Sequence, residues 1–300
     1  MTEISVIEEV AEDTHRLEVR IHDARYIFSV YLLTGKEPVL IDPGPTVVVP
    51  AILDAMTQLG IPQLSTIIPT HIHMDHGGGA GTLAERFPQA KVVLHPRGAR
   101  HAIDPSRLIA GTKAAYEDDF EHTYGPILPI RESQVLVAED GDVIDAGGRR
   151  LRIIHAPGHA AHHMAIFDEK TGGLFCGEAL GQPIPGTRSD VLPSISVGDL
   201  DVDRYLSSIE KLSRLSPRVL FYPHEGGARE PGDILSRIAE NTAMLRDIIL
   251  EGLRNSLSTG DIERQILDRL AGHPDKGEDT IGMESIILGY GAYFKKKGLI

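Results

Sequence analysis

Short apolar runs separated by turn residues organise the first half of the chain. Arg16–Ile21 and Tyr26–Leu33 read as paired strands around a turn at His22-Asp23. Pro38–Ile41 is a brief apolar strand that stops at Asp42-Pro43-Gly44-Pro45, a strong turn signal. Val48–Leu59 has helical spacing and ends at Gly60, a residue that caps helices well. Thr66–Pro69 is a further short strand, Gly78–Phe87 a helix and Lys91–Leu94 the next strand. Strands alternating with helices argue for sheets covered by helices, against an all-β or all-α domain.

Residues 98–125 are helical in character, with expected breaks at Asp104-Pro105 and at Gly111. Strands return at Gln134–Ala138, Val143–Ala146, Arg150–His155, Met164–Asp168 and Gly173–Cys176. Gly181–Gly198 is rich in Pro, Gly and Ser, has no apolar period and is too long for a simple turn, so it reads as a functional loop. Val202–Leu215 is a helix and Arg218–Tyr222 the last strand. From Pro231 the pattern is helical, fitting helices at Asp233–Leu257, Gly260–Leu270 and Gly282–Lys297. The expected organisation is one large domain over residues 1–230 and a helical extension over 231–300 packed on it. A tail of that size gives only a marginal core of its own.

Composition narrows the class. Of 300 residues, 41% are hydrophobic, which excludes a mainly disordered chain. A single cysteine, Cys176, excludes a disulfide scaffold. The formal charge of −13 disfavours a nucleic-acid partner, since like charge repels a phosphate backbone. The start of the chain carries acidic residues where a signal peptide carries basic ones, and its longest apolar run, Tyr26–Leu33, is too short to span a bilayer. The expectation is a cytoplasmic protein with no membrane partner, acting on a small molecule.

Histidine placement points to chemistry. Thr70-His71-Ile72-His73-Met74-Asp75-His76-Gly77 follows an apolar strand and precedes a glycine-rich helix start. Imidazole and carboxylate are ligands that divalent transition metals take. The two-residue spacing of His71 and His73 lets both rings point the same way from extended backbone. Asp75 and His76 can then turn toward a second position. Other candidates sit just past strand ends: His155-Ala156-Pro157-Gly158-His159, Cys176-Gly177-Glu178 and Tyr222-Pro223-His224. Loops at strand ends build sites on a rigid scaffold. Cys176 itself reads as a small buried apolar residue.

With these residues in place, the chain resembles the metallo-β-lactamase fold superfamily. The resemblance rests on H-x-H-x-D-H, a later P-G-H turn, an acidic residue at a strand end and a last His. It extends to Leu40-Ile41-Asp42-Pro43-Gly44 and spans about residues 25–230. It implies an αββα sandwich of two β-sheets flanked by helices, in the mixed α/β class. It also implies a dinuclear hydrolase, with one ion on His71, His73 and His159 and the other on Asp75, His76 and His224. Glu178 stands where the family commonly has Asp, and its extra methylene puts bridging of both ions in question. Zinc is the default metal for such ligands, with iron and manganese as alternatives. The implied nucleophile is a metal-bound hydroxide, with Asp75 orienting it.

The resemblance implies a carboxylic ester, thioester or lactone as substrate. Alternatives are a phosphodiester on the same site, an iron-dependent sulfur or oxygen redox enzyme, and a non-catalytic sensor. Substrate contacts are expected from Tyr116 and Phe120 in the helical stretch, from Arg188 in the long loop, and from Tyr205, a hydrogen-bond donor to a developing oxyanion. Asp42 is read either as a turn former or as an acceptor that orients a ligand histidine. His162 and His163 are read as partners of the ligands, as pocket lining or as structural histidines. The apolar positions Ile281, Met283, Ile286, Ile287 and Leu288 make a homodimer through the tail a candidate assembly.

Overall fold

The computed structural model describes residues 3–21, 26–116, 120–184, 191–224, 227–270 and 282–300. Chain contacts divide it into two units. The first comprises Met1–His155, His162–Gly177 and Pro217–Glu230. The second comprises Ala156–Ala161, Glu178–Ser216 and Pro231–Ile300, so residues 231–300 share a unit with two earlier stretches.

The first unit holds both large sheets. One runs in chain order through β1 (Glu3–Ala11), β2 (Thr14–Ile21), β3 (Tyr26–Leu33), β4 (Val39–Ile41), β5 (Thr66–Ile68), β6 (Lys91–Leu94) and β7 (Val135–Val137). Pairing is antiparallel from β1 to β4 and parallel from β4 to β7. Parallel neighbours need crossovers. These carry α1 (Val49–Gln58), α2 (Met74–Gly77), α3 (Ala80–Arg86), α4 (Pro96–Ile103), α5 (Ser106–Tyr116) and α6 (Phe120–Thr123). The second sheet is built from β8 (Val143–Ala146), β9 (Arg149–His155), β10 (Met164–Asp168) and β11 (Gly173–Phe175).

The period-two rule explains why the central strands are mostly apolar on both faces. In β3 and β4, Phe28, Val30, Leu32 and Leu40 join a core with Ile52, Ala55 and Met56 of α1. The alternate residues Tyr31, Leu33, Val39 and Ile41 join Leu151, Ile153, Met164, Ile166 and Phe175 of the other sheet. The expected mixed α/β fold with two large sheets is therefore present, and both faces of β3 and β4 are buried.

Two readings change. β1 is an added edge strand, paired to β2 with irregular register at Ile4/Val6 and Glu9/Ala11. The expected break at Gly111 is absent, because α5 runs through it. An exposed glycine costs a helix only about 1 kcal/mol, which the surrounding turns sustain. The expected break at Asp104 is real, with its backbone extended at φ −125 and ψ 92.

The second unit contains a short pairing of β12 (Gln182–Pro183) with β13 (Val191–Leu192), inside the stretch read as loop. Its β-free remainder includes α7 (Val202–Ser213), α8 (Ile234–Arg254), α9 (Thr259–Arg269) and α10 (Met283–Lys297). α8 buries Ile234, Ile238, Leu245 and Ile249, spaced to lie on one face. The Asp201 and Ser258 side chains cap α7 and α9 by accepting from Arg204 N–H and Asp261 N–H. The second sheet is completed in the first unit by β14 (Val219–Phe221) and β15 (Ala228–Arg229). No helix among the described residues is long and apolar enough to cross a membrane.

Candidate metal centre

The ligand loop of the first unit begins where β5 ends. Asp42 follows β4 in the left-handed region at φ 49, and its N–H donates to the Ile68 carbonyl at 3.1 Å. That turn aims its carboxylate at the loop. Asp42 Oδ1 accepts from Thr70 N–H at 2.6 Å, and Oδ2 accepts from the Thr70 hydroxyl at 3.1 Å. Asp42 Oδ2 also lies 3.3 Å from Nδ1 of His76, and all three residues are buried. Both sequence readings of Asp42 thus apply at once. The loop is then stapled to the same turn: Gly79 N–H donates to the Gly44 carbonyl at 2.7 Å. A Cβ at Gly79 would stand 3.2 Å from that carbonyl oxygen, so the approach needs glycine.

These contacts set tautomers. A carboxylate only accepts, so His76 Nδ1 carries the proton and Nε2 bears a lone pair. That lone pair lies 3.2 Å from Nε2 of His224 and 3.5 Å from Oδ2 of Asp75. His224 Nε2 is also 3.5 Å from Asp75 Oδ2. One ligand atom from each of Asp75, His76 and His224 lies within 4.8 Å of the others. The Thr70 hydroxyl gives its proton to Asp42, so its oxygen accepts from His71 Nδ1 at 3.2 Å. His71 Nε2 then faces His73 Nδ1 at 3.0 Å.

A cation seated between two such ring nitrogens would take a lone pair from each. Two nitrogens on one tetrahedral zinc stand roughly 3.3 Å apart, given bonds of about 2.0–2.1 Å. The observed 3.2 Å and 3.0 Å separations match that requirement. The donor set therefore fits a divalent transition ion. Exposure is graded: the His76 side chain is fully buried and Asp75 is 32% exposed.

His224 comes from the second sheet and is tied to β3 of the first. Ser29 N–H donates to the Pro223 carbonyl, and the buried Tyr31 hydroxyl to the Tyr222 carbonyl, both at 2.7 Å. Phe28 meets the His224 ring edge-on at 5.3 Å. His163 is fully buried with its ring 5.0 Å from His71, and His162 lies 5.4 Å from His73.

The second unit carries its own pair. His159 Nε2 is 2.8 Å from Oε2 of Glu178. His159 Nδ1 donates to the Ser194 carbonyl at 3.2 Å, so the ring is held between that carbonyl and the Glu178 carboxylate. Gly158 precedes it at φ 151, where a Cβ would fall 2.4 Å from Tyr205 Cα. The Pro-Gly-His turn thus lies hard against α7.

The model of the metallo-beta-lactamase superfamily matches residues 23–224. The chain belongs to the metallo-beta-lactamase superfamily. Protein ST1585 of Sulfurisphaera tokodaii, named as metallo-beta-lactamase fold-containing, is 28% identical over 204 residues, 67% of this chain and 73% of that one. Its crystal structure, titled as from Sulfolobus tokodaii, shares the fold with a TM-score of 0.63, over 95% of this chain and 97% of that chain at 23% identity. A hydroxyacylglutathione hydrolase of a Synechococcus species is 27% identical over 181 residues, 60% of this chain and 59% of the relative. The acyl-coenzyme A thioesterase MBLAC2 of Gallus gallus is 28% identical over 166 residues, 51% of this chain and 52% of the relative. The chain thus spans little more than half the length of those two hydrolases.

Within this superfamily the chain is a metal-dependent hydrolase, and the fold with its His and carboxylate cluster implies divalent metal ions. The superfamily pattern does not cover the residues expected to touch substrate. Phe120 is 3% exposed and packs with Met74 and Tyr124, under the ligand loop. Tyr116 is the last residue of α5. Arg188 lies outside the described residues. Tyr205 is 1% exposed, and its hydroxyl donates to the Glu178 backbone carbonyl at 2.6 Å. That bond braces the strand-end residue Glu178 from α7. Cys176 is fully buried, its thiol donates to the Phe221 carbonyl at 3.2 Å, and burial raises its pKa well above the usual range. Of the apolar tail positions, Met283, Ile286 and Ile287 are buried, Leu288 is exposed, and Ile281 lies outside the described residues.

Sequence reasoning missed Ser194. It lies in the stretch read as loop, is 8% exposed, and touches both His159 and Glu178. No residue pattern marks it, since a serine in a Pro- and Ser-rich segment looks like any turn residue.

Proposed function

We propose that this protein hydrolyses a carboxylic thioester, with oxygen esters and lactones as weaker substrates, using divalent ions of which zinc is the expected pair. The proposed ligands are His71, His73, Asp75, His76, His159, Glu178 and His224. The observation that carries the reading is the convergence of Asp75, His76 and His224, with His76 held by Asp42 in the tautomer that turns a lone pair inward. The names of two relatives, a hydroxyacylglutathione hydrolase and an acyl-coenzyme A thioesterase, favour the thioester.

Bound ions of this kind polarise a carbonyl and bring the pKa of water toward neutrality. The chain's own residues supply the rest. Asp75 is the most exposed member of its cluster, at 32%, and its carboxylate would orient a water molecule and take its proton. Buried His76 and Asp42 keep the loop rigid while that proton moves. Neither serine nor cysteine serves as nucleophile in this reading.

The test is metal content per chain for the native protein and for His71→Ala, followed by hydrolysis of a short acyl thioester and of bis(p-nitrophenyl) phosphate. About two ions per chain, lowered in the variant, with preference for the thioester, is the expected result. Absence of metal after reconstitution with zinc, iron and manganese overturns the reading. Preference for the phosphodiester overturns the substrate class.

A further inference from the structure

We infer that Ser194 is a positioning residue that sets both ligands of the second unit, and that its hydroxyl fixes Glu178 so that one carboxylate oxygen is presented to metal. The inference rests on the metal reading above and names a residue outside the expected ligand set.

Every polar group of Ser194 is engaged with a ligand or its brace. Its carbonyl accepts from His159 Nδ1 at 3.2 Å, which holds the orientation of that ring. Its hydroxyl donates to Glu178 Oε1 at 2.5 Å. Its N–H donates to the Tyr205 hydroxyl oxygen at 3.3 Å, and that hydroxyl passes its own proton to the Glu178 backbone carbonyl at 2.6 Å. Ser194, Tyr205, His159 and Glu178 are all buried. In such a setting a closed hydrogen-bond ring rigidifies its members.

The division of the Glu178 carboxylate follows. Oε1 faces the Ser194 hydroxyl, and Oε2 stands 2.8 Å from His159 Nε2. A glutamate has one more rotatable bond than an aspartate and loses more rotamer freedom when held. The serine hydroxyl selects one rotamer. Oε2 and His159 Nε2 are then the adjacent donor atoms, while Oε1 is turned to the serine.

The experiment uses the full chain loaded with Co(II). Chelator competition gives the dissociation constant of each ion, and the visible absorption bands report the ligand field. Ser194→Ala removes the hydroxyl alone and keeps the backbone carbonyl and N–H. The expected result is weakening of one of the ions by about 10–100-fold, with altered bands, while the other keeps its constant. Ser194→Thr, which keeps a hydroxyl, is expected to retain affinity within about threefold of the native protein. In a Glu178→Ala background the Ser194→Ala change is expected to add almost nothing, because its action passes through that carboxylate.

Unchanged constants and bands in Ser194→Ala overturn the inference and leave the hydrolase reading intact. Equal loss of both ions with a lowered melting temperature also overturns it, since that is the mark of general packing. A native protein that binds no Co(II) defeats the hydrolase reading and this inference together, and the wild-type titration alone reveals that case.

Discussion

The first unit and the second unit orient the histidines proposed as ligands by different means. In the first, His76 gives its Nδ1 proton to the Asp42 carboxylate, and His71 gives its own to the Thr70 hydroxyl, which that same carboxylate holds. In the second, His159 gives its proton to a backbone carbonyl, that of Ser194. A carboxylate partner carries full charge and raises the basicity of its imidazole, whereas a carbonyl dipole mainly fixes the ring. One acidic side chain therefore governs a whole loop in the first unit. In the second, a backbone carbonyl holds one ring nitrogen of His159, the Glu178 carboxylate faces the other, and the serine hydroxyl holds that carboxylate.

The comparison breaks most sharply at Asp42. Asp42→Ala leaves the Thr70 N–H, the Thr70 hydroxyl and the His76 Nδ1–H without their buried acceptor. The expected cost is about 3 kcal/mol in urea unfolding of the metal-free protein, several times that of removing the Ser194 hydroxyl. Metal affinity should fall about 10–100-fold as well. Equal effects at the two positions would show that the two units are braced alike.

Acid should sharpen the same contrast by acting on the first unit away from the ligand loop. Burial first, then the neighbouring His155 and Arg97, lower the pKa of His95 to about 4. A neutral His95 is thus favoured by folding. The unfolded chain takes up a proton near the usual 6.5, and the folded chain only near 4. Stability is therefore full above about pH 7 and falls as pH drops from there toward 4. The expected loss is about 2 kcal/mol between pH 8 and pH 5. His95→Gln should flatten that segment of the curve in denaturant titrations. An unchanged slope in the variant would assign the acid sensitivity elsewhere.

The smallest effect is expected at Tyr31→Phe. It removes one buried hydrogen bond to the Tyr222 carbonyl, next to Pro223 and His224. About 1 kcal/mol of stability should be lost. The ion on His224 should weaken by a few-fold, less than for Asp42→Ala. A Tyr31→Phe protein with native affinity would mean that Ser29 and Phe28 suffice to seat His224.

Legibility in the sequence followed the range of the interaction. Lys91–Leu94, Val143–Ala146 and Met164–Asp168 are strands with the expected bounds, because their faces and flanking turns are local properties. The cluster from His71 to His76 was legible for the same reason: spacing along extended backbone decides which rings share a side. β1 was not legible as a strand, because Glu3–Ala11 is an edge whose pairing with β2 is the main reason for its shape. Phe120 looked like a substrate contact because it is aromatic in a variable helical stretch. Its partner Met74 is 46 positions earlier in the chain, and nothing local predicts that meeting.

By itself the sequence determined the strand and helix periods, the turn at Asp42-Pro43-Gly44, and the run of metal-type side chains. These follow from backbone geometry and side-chain chemistry within a few residues. Tertiary structure alone decided which acceptors stand beside the His76 and His159 rings, that Tyr205 braces Glu178 from α7, and that Ser194 touches both His159 and Glu178. The physical reason is that a ring's orientation depends on the acceptor placed beside it. For His76 that acceptor lies 34 residues away and for His159 it lies 35, distances over which only packing brings groups together.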